Sequence, residues 1–401
     1  MNILYLHGVS SFGGSTKSLL ELYTQLKLLG VQGTALCPKG YSQKALLDAG
    51  MKTYSCMGVS QFDNTLYSHY KGLRWIILLR ELVYLLPTIC ALLKIKLQKN
   101  HFDIIHANEI TLLPIATIAK KLFKCPLIVH VRSVQRGDAK DRRTKWLFNF
   151  LKKKADAIVA IDETVKGSLP QYLTIQVIHN GINLPENIPA KSLVAGNELP
   201  KVGIVGMLLR LKGIYEYLEA ARILIQEKQI KAQFVVVGEN ARSSKGLMAW
   251  VYKKLGFSDD IMGDMLAYIK QHQLENYFTV KGFVKDVRSI YSDLDILCFP
   301  SYLNAAGRPV FEAALYGIPS IVAISDPKSD TIIDNETGLC IKSACAASLA
   351  NAIDALVTNP DERMRLGINA QKQAFLHFDI KANAKKMVTI YNNVLGAPPL
   401  S

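Results

Sequence analysis

Twice along this chain short apolar runs alternate with longer helical stretches, and that rhythm restricts the fold more than any other feature. In the first half the runs are Asn2–Leu6, Gly33–Cys37, Ile104–His106, Leu127–Val131, Ala157–Ala160 and Ile175–His179. They are short and apolar on both faces, as strands buried inside a parallel sheet must be. Ser15–Leu29, Ser42–Ala49, Gly72–Gln98, Leu112–Lys121, Asp141–Lys154 and Glu163–Leu169 fill the gaps with helical periodicity. A second series predicts strands at Val202–Gly206, Gln233–Val237, Phe278–Lys281, Asp295–Phe299, Ser320–Val322 and Gly338–Ile341. Its helices are expected at Ile214–Glu227, Gly263–His272, Val287–Ser292, Val310–Leu315, Ala346–Thr358 and Asp361–Leu376, with a last one at Ile380–Leu395. Strand–helix alternation of this kind specifies an α/β chain, here two Rossmann-like doubly wound domains facing each other across a cleft.

The break between the series is Leu184–Pro200, which holds three prolines and no clear period. The expected organisation is therefore a first domain over 1–185, a connection over 186–199 and a second domain over 200–378. Residues 379–401 would form a helix crossing back to the first domain. Asn240–Asp264 is long enough to cover one wall of the cleft. With 49% hydrophobic and 20% charged residues, disorder is excluded.

Charge is distributed unevenly. Residues 1–190 carry 24 Lys and Arg against 12 Asp and Glu, whereas 191–401 carry 24 against 21. A basic first half implies an anionic partner there, with a solvated basic surface as the alternative. No nucleic-acid module is recognisable, so nucleic acid is not the expected partner. The seven cysteines are scattered and form no CxxC pair, which fits a reduced, cytoplasmic protein without a zinc site. Its longest charge-free apolar stretch, Leu82–Leu93, contains Pro87 and falls short of the roughly 18–20 residues a spanning helix needs.

Ligands in open α/β sheets bind at loops that follow strands. Ser11–Lys17 follows the first strand and contains Gly13 and Gly14, which permit close backbone approach to an anion at a helix start; a tight turn is the alternative. Val205–Gly213 places Arg210 and Lys212 just before a helix, either as a diphosphate site or as a solvated basic loop. Phe299–Ala314 is a small-residue loop leading into a helix near Pro309. The amides of Gly307, Arg308 and Val310 are candidate phosphate donors there. Glu312 is expected in the first helical turn, where pairing with the helix dipole would by itself explain it. His106 and His130 end neighbouring strands, either as structural hydrogen-bonders or as groups aimed at one cleft.

Taken in order, these loops resemble the retaining GT-B glycosyltransferases of glycosyltransferase family 4 (glycosyl transferases group 1). The most specific stretches are Gly282-Phe283-Val284, Tyr291-Ser292-Asp293-Leu294-Asp295, Phe299-Pro300-Ser301, Gly307-Arg308-Pro309-Val310-Phe311-Glu312-Ala313, Gly317-Ile318-Pro319 and Asn335-Glu336-Thr337-Gly338-Leu339. The resemblance implies an enzyme of the hexosyltransferase type that uses a nucleotide diphosphate sugar as donor and needs no cofactor or metal. Lys212 matches the family lysine that grips the diphosphate, and Glu312 matches the second Glu of the E-x7-E motif, which binds the ribose hydroxyls. The Gly307–Val310 amides, Pro309 included in that turn, would lie against the donor phosphates and sugar. Gly13 and Gly14 match the glycine loop over the donor, and His130 matches the histidine near the transferred sugar.

Two positions depart from the family. The first Glu of E-x7-E falls on Asn304, which can hydrogen-bond a sugar hydroxyl but carries no charge. The diphosphate arginine falls on Met207, leaving Arg210 or Arg308 to supply that charge. These departures leave one alternative, a catalytically impaired GT-B protein that binds nucleotide sugar or glycan. The acceptor is expected to be a glycan or lipid-linked hydroxyl in bacterial cell-surface polysaccharide or lipopolysaccharide synthesis. Arg74–Arg80, Leu82–Leu93 and Lys94, Lys96 and Lys99 combine apolar and cationic residues, as do Arg136, Lys140, Arg142, Arg143, Lys145, Trp146 and Lys152–Lys154. They fit either an interfacial surface on anionic lipid at the inner face of the cytoplasmic membrane, or a buried crossover helix with a solvated charge run.

Overall fold

The structure is a computed structural model, and it describes residues 1–11, 13–66, 75–137, 141–184, 199–240, 260–284 and 286–396. Most of the expected connection, most of the Asn240–Asp264 wall, the first residues of the Gly72–Gln98 helix and Lys140 lie outside the described residues. The chain divides into two compact units, Met1–Asn183 with Phe378–Ser401, and Leu184–His377.

In the first unit β1 (Asn2–Leu6), β2 (Gln32–Pro38), β3 (Lys52–Cys56), β4 (Ile104–Ala107), β5 (Leu127–Val131), β6 (Ala157–Ala160) and β7 (Gln176–Val177) form one sheet. Its order is β3-β2-β1-β4-β5-β6-β7 and every pairing is parallel. The strand β3 is an addition to the expected set. Its sequence, Lys-Thr-Tyr-Ser-Cys, is half polar because β3 is an edge strand with only its last residue buried. Helices α1 (Gly14–Leu28), α2 (Tyr41–Asp48), α3 (Ile76–Leu97), α4 (Leu113–Phe123), α5 (Arg142–Lys154) and α6 (Glu163–Gly167) connect the strands.

In the second unit β8 (Lys201–Val205), β9 (Gln233–Val237), β10 (Phe278–Gly282), β11 (Ile296–Phe299), β12 (Ser320–Ala323) and β13 (Gly338–Ile341) are ordered β10-β9-β8-β11-β12-β13, again all parallel. Its helices are α7 (Ile214–Arg222, continued as a π turn to Glu227), α8 (Ile261–Gln271), α9 (Arg288–Asp293), α10 (Arg308–Leu315), α11 (Ala346–Val357) and α12 (Pro360–His377). One apolar core joins α7, α8 and α11 to this sheet.

The last helix, α13 (Ile380–Leu395), belongs to the first unit. Asp379 caps its start by accepting from the Lys381 amide at 2.9 Å, and Gly396 ends it in the left-handed region at φ 68°. Its apolar face (Ala384, Met387, Val388, Tyr391) shares a core with Leu19, Leu22, Tyr23 and Leu26 of α1 and with Ile3 and Tyr5 of β1. A separate core lies with α3, α4 and α5. Each sheet thus has one topological switch point, between β1 and β4 and between β8 and β11, where a crevice forms at the strand ends. Among the described residues no helix is long and apolar enough to cross a membrane.

Candidate active site

The expected donor loops of the second unit both leave its switch point, one after β8 and one after β11. Beyond β8 the chain makes a tight turn at Arg210–Lys212 and closes on Gly213 at φ 74°. A Cβ at Gly213 would lie 1.9 Å from the Pro300 carbonyl oxygen, so only glycine lets the two loops touch. They are stitched by the Tyr302 amide and the Ser301 hydroxyl, which both donate to the Leu211 carbonyl (3.0 and 3.1 Å). This contact places Lys212 Nζ 4.7 Å above the centre of the Phe299 ring. No carboxylate pairs with Lys212 among the described residues, and burial pushes its pKa down.

The same ring packs against Gly307, where a Cβ would come within 2.4 Å of it. Gly307 opens α10 and no side chain caps that start, but Pro309 carries no amide hydrogen and the Val310 amide donates to the Gly307 carbonyl (2.9 Å), so Val310 is not the free phosphate donor expected of it. Phe299 thus fixes both an unneutralised cation and an uncapped helix start. Arg210 is exposed and lies over the Tyr215 ring. Met207 is also exposed and shares a small pocket with Lys212 and Phe299.

The structure revises the expected place of Glu312 and gives Arg308 and Asn304 partners. Glu312 is the fifth residue of α10, not part of its first turn, and is 8% exposed. Dipole pairing therefore does not explain it. Its Oε2 accepts from the buried Tyr291 hydroxyl (3.0 Å) and its Oε1 from Arg308 Nε (2.8 Å). Arg308 is thus paired with Glu312 through its Nε. Asn304 adopts a left-handed φ of 51°, a conformation asparagine tolerates better than glutamate, and its Oδ1 accepts from the Ser325 amide (2.7 Å) and hydroxyl (3.1 Å). Backbone conformation accounts for the asparagine here.

In the first unit Gly13 caps α1 without a side-chain bond, and both Gly13 and Gly14 have open space where a side chain would project. His106 and His130 are on adjacent strands, but both rings are buried and pack on each other with centroids 5.5 Å apart. His130 Nδ1 accepts from Arg132 Nη2 (3.3 Å), and Arg132 Nε donates to Asn108 Oδ1 (2.9 Å). Asn108 in turn meets His7 Nδ1 (3.0 Å), and His7 Nε2 meets the Thr16 hydroxyl in α1 (3.0 Å). Burial, reinforced by the Arg132 charge, lowers the pKa of His7 to about 4, of His106 to about 3 and of His130 well below its ordinary value. These imidazoles are neutral.

Sequence reasoning missed Arg132, Asn108, His7, Phe299 and Tyr291 as parts of the sites. Arg132 and Asn108 stand two residues beyond His130 and His106, which is a usable signal; Phe299 and Tyr291 look like ordinary core residues until their partners are known. Among the described residues no group of three His, Cys, Asp or Glu side chains could hold a metal ion.

Comparison with solved structures identifies the architecture as GT-B: HepE from Anabaena, crystallised with UDP, superposes with a TM-score of 0.74 at 18% identity, covering 98% of this chain and 100% of that one. The model of Glycosyltransferase Family 4 matches residues 12–186, and that of Glycosyl transferases group 1 matches residues 188–373. The chain belongs to this glycosyltransferase family. The lipopolysaccharide core biosynthesis mannosyltransferase LpcC of Rhizobium leguminosarum bv. viciae is 23% identical over 73% of this chain and 78% of its own length. The capsular polysaccharide biosynthesis glycosyltransferase CapM of Staphylococcus aureus is 23% identical over 48% of this chain, and the match spans 46% of that relative.

Proposed function

We propose that the protein transfers a sugar from a nucleoside diphosphate sugar to a hydroxyl of a lipid-linked glycan, with retention at the anomeric carbon. The observation that carries this reading is Lys212, held over Phe299 without a carboxylate partner among the described residues, with the uncapped start of α10 on the same ring. The ammonium and the amides neutralise the diphosphate as it departs. Glu312, aimed by Tyr291 and Arg308, accepts from the ribose hydroxyls. His130 donates to the transferred sugar, and a departing phosphate oxygen takes the acceptor proton. With the charge supplied by Lys212 and amides, the reaction needs no metal.

The capsular and lipopolysaccharide roles of CapM and LpcC favour an acceptor in cell-surface polysaccharide or lipopolysaccharide synthesis, and the HepE complex makes UDP the first nucleotide to test. The apolar face of α3 favours a lipid-linked acceptor reached from the cytoplasmic side of an anionic membrane. Leu79, Val83, Leu86, Leu93 and Leu97 are all exposed on that face, and Arg80, Lys94 and Lys96 flank it.

The test is the melting temperature with UDP, GDP, ADP or CMP and their sugars, for wild type, Lys212→Ala and Glu312→Ala. A ligand at 100 times its Kd stabilises by about 2.7 kcal/mol. One nucleotide should raise the wild-type transition and leave both variants unmoved, and turnover should survive EDTA. No shift at millimolar nucleotide would sink the reading. A second reading, an impaired member that binds donor without turning it over, is favoured by Asn304, whose side-chain oxygen is engaged by Ser325. It predicts stabilisation without transfer or donor hydrolysis.

A further inference from the structure

The hydrogen-bonded run that starts at Thr16 and reaches His130 has a counterpart on the terminal helix. Tyr391 of α13 is fully buried, and its hydroxyl lies 2.8 Å from His106 Nδ1 and 3.2 Å from the Tyr5 hydroxyl. The His106 ring is wedged among Tyr5, Tyr391 and His130, with centroid separations of 5.2, 5.9 and 5.5 Å.

Proton directions follow from what each partner can do. Tyr5 is also fully buried, and Tyr391 is its hydroxyl's partner among the described residues. Tyr5 therefore donates to Tyr391: the reverse order would leave both the Tyr5 proton and the His106 Nε2 lone pair buried without a partner, whereas this order orphans only the hydrogen on His106 Nε2. Tyr391 then gives its own proton to His106 Nδ1, which leaves the His106 proton on Nε2. Arg132 has only donors, so His130 Nδ1 must accept, and the His130 proton is also on Nε2. Neither Nε2 has a hydrogen-bond partner among the described residues. As a donor at Nε2, His106 cannot accept the His130 proton, which is left without a protein acceptor among the described residues.

We infer that Tyr391 is a positioning residue for His130: by donating to His106 Nδ1 it fixes the tautomer and ring orientation of the imidazole against which His130 packs. This inference rests on the reading that His130 addresses the transferred sugar. The terminal helix, remote in sequence from every donor-binding loop, then sets the geometry of the transfer step.

The test uses the full chain with 15N-labelled histidine, signals being assigned by their loss in His106→Gln and His130→Gln. Wild type should show both imidazoles neutral with the proton on Nε2. Tyr391→Phe keeps the ring and removes the donor. The His106 signal should move to a mixed tautomer, and kcat should fall about 10- to 100-fold while donor KM changes less than about twofold. Tyr5→Phe makes the same deletion one bond further away, leaves Tyr391 free to donate, and should cost less than about threefold in kcat. A His106 proton on Nδ1 in wild type overturns the inference, as does an equal loss in the two variants, or a Tyr391→Phe chain that is less stable but fully active. If Tyr391→Phe does not fold, the wild-type tautomers still decide. If wild type transfers no sugar, the glycosyltransferase reading has failed, and the tautomer shift in Tyr391→Phe still reports on the link to His106.

Discussion

His7, His106 and His130 are each at most 2% exposed, and Arg132 is the charged group that bears on all three. Their folded pKa values lie below the ordinary 6.5 that an unfolded chain restores, at about 4 for His7 and about 3 for His106. Between those values and 6.5 the unfolded chain binds protons that the folded chain refuses. Stability therefore falls as pH drops below about 6.5, by about 1.4 kcal/mol per pH unit for each histidine. Urea midpoints compared at about pH 7.5 and about pH 5 check this, and a flat profile would be incompatible with neutral buried imidazoles. His106 and His130 are legible in the sequence as polar residues ending apolar strands, whereas His7 is not singled out by that pattern. Their protonation is not legible, because it depends on burial and on Arg132, and the tautomer of His106 depends on Tyr391, 285 positions away.

At the scale of elements, the inner strands and most helices follow from periodicity, since strands apolar on both faces can only lie inside a parallel sheet. The edge strand β3 escapes that rule because four of its five residues are at least partly exposed. Helix α3 is open to two readings, and the structure buries one of its sides while exposing the other. One side buries Leu92, Ile95, Thr88 and Glu81, the helix's one acid, whose Oε2 accepts from the Gln61 amide (2.8 Å). The other side exposes Leu79, Val83, Leu86, Cys90, Leu93 and Leu97, spaced alternately four and three apart, with Leu86 69% and Leu97 82% exposed. Such spacing is a coiled-coil seam, but the flanking Arg80, Lys94 and Lys96 would repel a second copy and attract anionic lipid. The double variant Leu79→Glu with Leu86→Glu should bind anionic vesicles at least about tenfold more weakly. Both side chains are exposed, so its melting temperature should hardly change. Vesicle sedimentation checks the first statement and calorimetry the second; unchanged binding would remove α3 from the acceptor side.

For the whole molecule, two rounds of strand–helix alternation are enough to read two Rossmann-like domains and, with the loop motifs, a GT-B chain. What pattern alone does not carry is how completely the final helix enters the first core, where Met387, Val388 and Tyr391 meet α1 and β1. A chain ending at His377 should lose cooperative unfolding in its first unit and expose α1 to limited proteolysis, while the second unit, whose core contains nothing from α13, should melt as before. Resistance of α1 to protease in that truncated chain would contradict this. The order of synthesis makes the same contact a matter of timing. The opening sheet leaves the ribosome early, but the helix that covers one of its faces emerges only after the other domain has been made. At about 5–20 residues per second this interval is roughly 10–40 s. For that time the nascent chain presents bare apolar surface to its surroundings, so its yield should depend on chaperones that hold an unfinished domain rather than on the stability of the finished one.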